Sequence, residues 1–239
     1  MSGHSKWSTI KRQKGAADIK RGATFTKISN AITIAVKQGG GVGDPDQNPR
    51  LRLAVEMARS ANMPKDNIER AIQRASNKGE GELQEVIYEG FAPGGVSVIV
   101  EAVTDNTNRT TSEVKSLFNK SGANFAQPGA VSYQFKQTGE IVIHKNGKSI
   151  DEIFLSAADL GASDVEDAGD EAVIYTETSL LDGIKKGLES QGFLIVSSEI
   201  SRKPISKVVL SVDQEEKIVN FLSALEEMDD VQKVYSNIE

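Results

Sequence analysis

Residues 140–200 read EIVIHKNGKSIDEIFLSAADLGASDVEDAGDEAVIYTETSLLDGIKKGLESQGFLIVSSEI. Hydrophobic runs and turn residues predict four strands and two helices in this stretch. In chain order these are strand Glu140–Lys145, helix Ser149–Leu160, strand Asp164–Asp167, strand Ala172–Thr176, helix Leu180–Ser190 and strand Phe193–Ile200. The order βαββαβ is that of the ferredoxin-like fold. The sequence therefore predicts a self-contained α+β unit here.

The segments on either side of this unit are each incomplete. Upstream we predict strands Val86–Phe91 and Val96–Val103, helix Thr107–Ser121, and a half-buried strand in which Val131, Tyr133 and Phe135 alternate. Downstream we predict strand Lys207–Val212, helix Gln214–Met228 and strand Val231–Ser236. Because neither piece closes a sheet by itself, we expect the two to fold together, with the ferredoxin-like unit inserted between them.

The N-terminal region shows helical periodicity. From about Ala16 to Val36, apolar residues recur at steps of three and four, as Phe25, Ile28, Ile32 and Val36. Asn48 and Pro49 suit the N-cap and first turn of a second helix. Pro64 opens a third helix. Three amphipathic helices predict a small bundle, with Lys20 and Lys27 on its exposed face.

The predicted fold class is therefore α+β and multidomain: an N-terminal small helical bundle plus two ferredoxin-like α+β domains, one inserted into the other. The predicted domain boundaries are 1–78 for a basic helical domain with a flexible N-terminal arm, 79–136 plus 204–239 for a discontinuous α+β domain, and 137–203 for the inserted one.

Composition limits the functional classes. The 239 residues contain no cysteine, which excludes disulfides and thiolate metal sites. No apolar run approaches the roughly 18 residues of a membrane helix, and the basic N-terminus lacks the apolar region of a secretory signal. We therefore expect a cytoplasmic protein without a membrane association.

The charges are segregated along the chain. Residues 1–78 contain 15 basic and 6 acidic side chains, a net charge of +9. Residues 79–239 contain 13 basic and 28 acidic side chains, a net charge of −15. A basic module attracts polyanions and an acidic body repels them, so we expect the N-terminal region to face a nucleic acid.

Catalytic patterns are lacking in the sequence. His4 and His144 have no companion histidine, and no phosphate-binding GxxxxGK[ST] loop occurs. The many carboxylates are interpreted as solvated faces. We therefore predict a protein that is not an enzyme and has neither a metal site nor a cofactor.

The first candidate site is the basic arm and the helix that follows it. Seven basic residues fall within 22 positions and suit phosphate neutralisation: Lys6, Lys11, Arg12, Lys14, Lys20, Arg21 and Lys27. Trp7 suits stacking on an unpaired base. The alternatives are that Trp7 packs the arm against the first helix, and that the basic cluster is a solvated surface or a tether for an acidic partner.

The second candidate site is the strand-to-helix junction Thr104–Thr110. Asn106, Asn108 and Arg109 lie there, and the N-terminus of a helix presents free N–H groups to anions. These side chains suit contact with a phosphate or a base edge. The alternative is ordinary helix capping by Asn106 or Thr107.

Several long motifs resemble one family. They are MSGHSKWSTIKRQKGAADIKRGATFTKI at the start, NMPKDNIERAI (Asn62–Ile72), YEGFAPGGVSVIVE (Tyr88–Glu101), TDNTNRT (Thr104–Thr110) and DDVQKVYSNIE (Asp229–Glu239). In this order they are similar to the YebC/PmpR family, which includes the mitochondrial translational activator of cytochrome oxidase. The resemblance implies three domains, one inserted in another, with no cofactor and no catalysis.

Two functions follow from this resemblance and from the charge pattern. The first is a DNA-binding regulator of transcription, and the alternative is a ribosome- or RNA-associated translation factor. The expected partners are accordingly DNA or ribosomal RNA, together with the transcription machinery or the ribosome. Basic charge alone does not separate the two, because both polymers offer phosphates.

Overall fold

In the computed structural model, the residues described are 21–75 and 83–239, with side chains from residue 24 onwards in the first range. The first range forms three helices: α1 (Arg21–Gln38), α2 (Pro49–Ser60) and α3 (Lys65–Arg74). Ile28, Ile32 and Val36 of α1 are buried against apolar residues of α2 and α3, and Phe25 packs half-buried on the same cluster. The predicted stripe of α1 is therefore confirmed.

Asn48 fixes the start of α2 and the loop before it. Its Oδ1 accepts the Leu51 N–H at 3.1 Å, which caps the helix, and Pro49 occupies the first turn as predicted. Its Nδ2 donates to the carbonyls of Ala35 and Val42 at 2.9 and 3.1 Å. A Cβ at Gly39 would lie 2.1 Å from this nitrogen, so a side chain there would displace Asn48 from its hydrogen bonds.

The first sheet joins the two flanking pieces of the chain. It contains β1 (Gln84–Ala92), β2 (Val96–Thr104), β3 (Asn124–Ala126) and β8 (Val231–Ser236), in the order β3-β1-β2-β8. All neighbours are antiparallel, and β8 pairs along β2 from Val98↔Ser236 to Ala102↔Val231. The expectation that the upstream and downstream segments fold together is confirmed.

Helices α4 (Thr107–Lys120) and α7 (Val212–Glu226) pack against each other through aromatic side chains. The rings of Phe118 and Phe221 meet edge to face with centroids 5.0 Å apart. A Cβ at Gly90 would lie 2.4 Å from both the Asn124 carbonyl oxygen and Phe118 Cε1. A glycine in β1 is therefore required for α4 and β3 to approach so closely.

The second sheet is ferredoxin-like, as predicted. Its strands are β4 (Phe135–His144), β5 (Asp164–Ala168), β6 (Glu171–Thr176) and β7 (Leu194–Pro204), in the antiparallel order β5-β6-β4-β7. Helices α5 (Ile150–Asp159) and α6 (Leu181–Ser190) pack on these strands. The core includes the fully buried side chains Ile141, Ile143, Ile153, Ile174 and Leu188.

The chain divides into two compact units. One comprises residues 134–207 with 238–239, and the described part of the other comprises 21–75, 83–133 and 208–237. This division places the N-terminal helices in the same unit as the first sheet. The three-domain boundaries predicted above therefore stay a prediction.

The predicted strand through Val131, Tyr133 and Phe135 is wrong. Ser132–Gln134 forms a 3-10 turn, Tyr133 is 70% exposed, and the strand begins only at Phe135. The cause is the Glu89 carboxylate, which accepts the N–H groups of Val131 and Ser132 at 2.7 and 3.0 Å. Amides that are bonded to a side chain are not available for a sheet.

The predicted strand Lys207–Val212 is also wrong. Only Val208 makes a strand-like bond, donating its N–H to the Asn237 carbonyl at 2.7 Å, and Val212 already begins α7. Ser211 and Gln214 form a capping box that starts the helix there. The short strand β3 was missed, because three residues give too little alternation to recognise.

The two ends of the inserted unit lie together, which yields the first prediction. The Ile205 N–H donates to the Gln134 carbonyl at 2.8 Å, and Phe135 pairs with Pro204. We expect that replacing residues 135–204 by Gly-Gly leaves the first sheet folded, because its strands all lie outside the deletion. Cooperative thermal melting checks this.

The matched control truncates the Gly-Gly variant before Val231, which removes β8 from the first sheet and should abolish cooperative melting. If the Gly-Gly variant melts without cooperativity while the truncated chain keeps it, the first sheet does not depend on the pairing described here.

Candidate nucleic-acid interface

Most of the predicted basic arm lies outside the described residues. This holds for Lys6, Trp7, Lys11, Arg12, Lys14 and Lys20. Arg21 begins α1, and its side chain lies outside the description as well. Their contact with nucleic acid therefore stays a prediction.

Lys27 does not lie on an exposed face, so that expectation is wrong. Its side chain is half-buried, and Nζ donates to the backbone carbonyl of Glu226, the last residue of α7. The last carbonyls of a helix have no intrahelical partner and carry partial negative charge. Lys27 thus caps α7, a role that links residues 199 positions apart and is invisible in local sequence.

A second side of α1 contacts the first sheet. Ile34 is buried against Leu83 and Val103, away from the stripe that packs on α2 and α3. Gln38 Nε2 donates to Glu85 Oε2 at 2.5 Å. Together with Lys27, these contacts hold the three helices on the first sheet and on the end of α7.

The Thr104–Thr110 junction is organised by Asp230. Its Oδ2 accepts hydrogen bonds from Thr104 Oγ1, Thr110 Oγ1 and Arg109 Nη2 at 3.0, 2.6 and 2.8 Å. Burial raises the pKa of Asp230, but the hydrogen bonds from Thr110, Arg109 and Thr104 outweigh it and leave the pKa below its ordinary value. The carboxylate thus ties the start of α4 to the loop before β8.

The predicted site residues at this junction have intramolecular roles. Asn106 Oδ1 accepts the Arg109 N–H at 3.1 Å, so Asn106 caps the start of α4, as the alternative interpretation predicted. Asn108 is exposed. Arg109 forms ion pairs with Asp230 at 2.8 Å and Asp105 at 3.0 Å, and Asp230 raises its pKa. Two carboxylates on one guanidinium leave no positive excess for a phosphate, and nucleic-acid contact by these three residues stays a prediction.

Glu89 is a second carboxylate that orders a loop. It is 4% exposed and accepts N–H groups from Gly129, Val131 and Ser132 at 2.7 to 3.0 Å. Burial raises the pKa of Glu89, but these backbone hydrogen bonds outweigh it and lower the pKa overall. Sequence reasoning missed both Glu89 and Asp230, because a single acid on a strand or after a helix carries no local signal of its partners.

Several basic side chains of the α+β part form ion pairs with acids. These pairs include Arg109–Asp230, Lys136–Glu177, Lys145–Asp167, Lys186–Asp182 and Lys203 with Asp164 and Glu166. Within ranges 21–75 and 83–239, no three His, Asp or Glu side chains group as metal ligands, and no helix is long and apolar enough to cross a membrane. In the α+β part, the cations of these pairs are therefore neutralised by neighbouring carboxylates.

Two family models cover nearly the whole chain. The TACO1/YebC protein N-terminal domain matches residues 5–78, and the TACO1/YebC second and third domain matches residues 83–238. The chain belongs to the TACO1/YebC family. This confirms the resemblance inferred from its motifs.

Relatives in the TACO1/YebC family match over nearly their full length. A protein of Thermotoga maritima is 47% identical over 100% of this chain and 94% of its own, and one of Rubrobacter xylanophilus is 45% identical over 100% and 96%. Both are named probable transcriptional regulatory protein. The crystal structure of a conserved hypothetical protein from Aquifex aeolicus is 43% identical, with a TM-score of 0.86 over 93% of this chain and 91% of that one.

The cap formed by Lys27 yields a stability prediction. We expect Lys27→Ala to lower the free energy of unfolding by about 0.5–2 kcal/mol, because the end of α7 loses its cation. Lys115→Ala is the control: this exposed lysine lies in the middle of α4, away from both helix ends, and should change stability by less than about 0.5 kcal/mol. Urea unfolding measures both. Equal effects of the two variants would contradict the capping role.

The Asp230 network yields a pH prediction. The lowered pKa means that Asp230 stabilises the fold fully above its unfolded pKa of about 3.9 and loses this effect as the pH falls through the lower folded pKa. The stability advantage of the wild type over Asp230→Asn should therefore shrink below about pH 4. Urea unfolding between neutral and acid pH measures this, with Asp229→Asn as the exposed neighbouring control. A difference that is independent of pH would refute the ionic role.

Proposed function

We propose that this protein is a non-enzymatic, cytoplasmic regulator of gene expression that binds duplex DNA through its basic N-terminal region. The name of its relatives, probable transcriptional regulatory protein, supports regulation of transcription. In this proposal the protein acts without a cofactor, its partner is DNA, and it works beside the transcription machinery.

One observation carries the proposal: the charges are segregated, with +9 in residues 1–78 and −15 in the rest. In the α+β part, cations such as Arg109, Lys136 and Lys203 are neutralised locally by acids, and acidic residues remain in excess. Only the N-terminal region then retains a positive excess for a polyanion. The acidic body repels phosphates and orients the molecule with its basic end toward the DNA.

The second candidate function is a ribosome- or RNA-associated translation factor. The motif resemblance to a family that includes a mitochondrial translational activator favours it. A tryptophan among the basic residues of the arm, Trp7, also suits an unpaired base in RNA better than a closed duplex. The two candidates differ in the polymer that they bind and share the basic region.

Salt-dependent binding tests the proposal. We expect the full chain to bind a mixed-sequence DNA duplex more tightly than a structured ribosomal RNA fragment of equal charge. Replacing Lys11, Arg12 and Lys14 with Ala should weaken binding and flatten the slope of log Kd against log salt by roughly 0.9 per lost phosphate contact.

Two outcomes would overturn the proposal. Tighter binding to the RNA would favour the translation factor. A fragment of residues 79–239 that binds DNA as tightly as the full chain would place the affinity in the acidic body instead.

A further inference from the structure

The second sheet has a helix-free face, the side opposite to α5 and α6. A Cβ at Gly139 of β4 would lie 3.0 Å from Leu181 Cδ1, so Gly139 faces α6. Side chains alternate along a strand, and the other odd-numbered residues of β4 therefore share that side. The even-numbered residues Thr138, Glu140 and Val142 lie on the helix-free face.

The centre of the helix-free face is apolar and buried. Val142 pairs with Val173 of β6, and together with Tyr175 they form an apolar cluster in which each side chain is at most 4% exposed. The Lys203 ammonium lies 3.9 Å from the centroid of the Tyr175 ring. The second face of an antiparallel sheet is commonly polar and solvated. This face instead has the composition of a surface that a further segment of chain covers.

Carboxylates surround the apolar cluster. The register places Glu140 of β4 directly opposite Glu199 of β7, and like charges in such a position repel each other. Glu166 of β5 lies on the same face, and Lys203 neutralises it at 2.9 Å. Glu140 and Glu166 are only 8% and 6% exposed, and buried carboxylates are costly unless cations or hydrogen bonds compensate them. The Glu140–Glu199 pair is therefore a second position on this face that attracts a cation.

Thr138 adds an unsatisfied polar group beside this pair. It precedes Glu140 by two residues on the same face and pairs with Ser201 of β7. Thr138 is 3% exposed, and its Oγ1 has no hydrogen-bond partner among the residues that the structure describes. Buried hydroxyl groups in native proteins normally have a partner. The Thr138 hydroxyl thus offers a hydrogen bond to a group that binds next to the two carboxylates.

The basic arm, residues 1–20, has the chemistry that this face requires. Its five basic side chains are opposed by a single acid, Asp18, and it contains Trp7 and Ile10 between the lysines. The cations suit the carboxylates, and the two apolar side chains suit the cluster around Tyr175. An extended chain of 20 residues spans up to about 66–72 Å, so its length does not confine the arm to the helical bundle.

We infer that the helix-free face of the second sheet binds the chain's own basic arm, and that this docking competes with nucleic acid. The docking stands by itself, whereas the competition rests on the proposed function. The Glu140–Glu199 carboxylates and the phosphates of DNA attract the same lysines and arginine of the arm. Only molecules with an undocked arm bind DNA fully, so docking raises the apparent Kd for DNA in proportion to the docked fraction.

The docking is tested by paramagnetic broadening in the full-length chain. The chain contains no cysteine, so a nitroxide on Ser8→Cys is a unique label in the arm. It should broaden the amide NMR signals of Val142, Val173 and Tyr175, and added salt should reduce this broadening because the attraction is ionic. Signals that stay sharp on the helix-free face at low salt overturn the inference.

Two charge-matched pairs of substitutions are compared in the labelled chain. Glu140→Gln with Glu199→Gln should remove the broadening. Asp159→Asn with Glu189→Gln removes the same charge from exposed positions on α5 and α6 and should leave the broadening in place. Equal broadening in the two pairs overturns the role of the Glu140–Glu199 carboxylates.

A mixture of nitroxide-labelled protein with isotopically enriched, unlabelled protein identifies the source of the arm. The enriched signals should stay sharp, because each arm docks on its own chain. Broadening in the mixture assigns the contact to a second copy and overturns docking within one chain.

A mixed-sequence DNA duplex tests the competition. Adding the duplex should sharpen the broadened signals, and the Glu140→Gln, Glu199→Gln variant should bind the duplex at least about fivefold more tightly than the Asp159→Asn, Glu189→Gln control. Duplex binding that leaves the broadening unchanged, or equal affinity of the two variants, refutes the competition. A wild-type chain that shows broadening but fails to bind DNA refutes the proposed function and the competition while supporting the docking.

Discussion

Helix α1 is buried on two sides. The packing of the unit that contains the helices and the first sheet depends on this double burial of α1. One stripe, which includes Ile28 and Ile32, forms the core shared with α2 and α3. Ile34 is turned to the other side and packs with Leu83 and Val103 of the first sheet. A helix that serves two cores cannot shift without opening both, because packed interiors tolerate little change of volume. The three helices therefore have a fixed attachment to the first sheet, independent of the segment 76–82 that connects them in sequence.

Polar side chains add hydrogen bonds between the elements that this packing brings together. Lys27 and Asn48 satisfy backbone groups at helix ends, while Glu89 and Asp230 collect hydrogen bonds from loops and helix starts. Each of these buried or half-buried side chains connects different elements of the fold, and all but Asn48 bond to segments at least 40 residues away. Such bonds are costly to lose because they leave buried groups unpaired. The acidic residues of the α+β part thus have structural uses, and its negative charge is not merely a solvated coating.

The sequence predicted those parts of the fold that depend on local patterns. The stripe of α1, the Asn48–Pro49 start of α2 and the βαββαβ unit all follow from spacing within a few residues, and all are confirmed. The errors occurred where a residue distant in sequence determines the local structure. Val131 alternates like a strand residue, but Glu89, 42 positions away, accepts its N–H. Lys27 has the sequence of an exposed helix face, yet the end of α7 lies against it. At the candidate site, the count of cations was visible in sequence, whereas which arginines are neutralised required the structure.

The pairing of β8 with β2 has a consequence for synthesis of the chain. About 127 residues separate the end of β2 from the start of β8, and at ~5–20 residues per second the ribosome needs roughly 6–25 s to make them. Throughout that interval, one edge of β2 lacks its neighbour, and Val98, Ile99 and Val100 lie on an open, strongly hydrophobic strand. All strands of the inserted unit have been synthesised once the chain reaches Pro204. This unit is therefore able to fold before the first sheet is complete. A nascent chain that stops before Val231 therefore combines a complete inserted unit with an unpaired strand edge that is prone to aggregation.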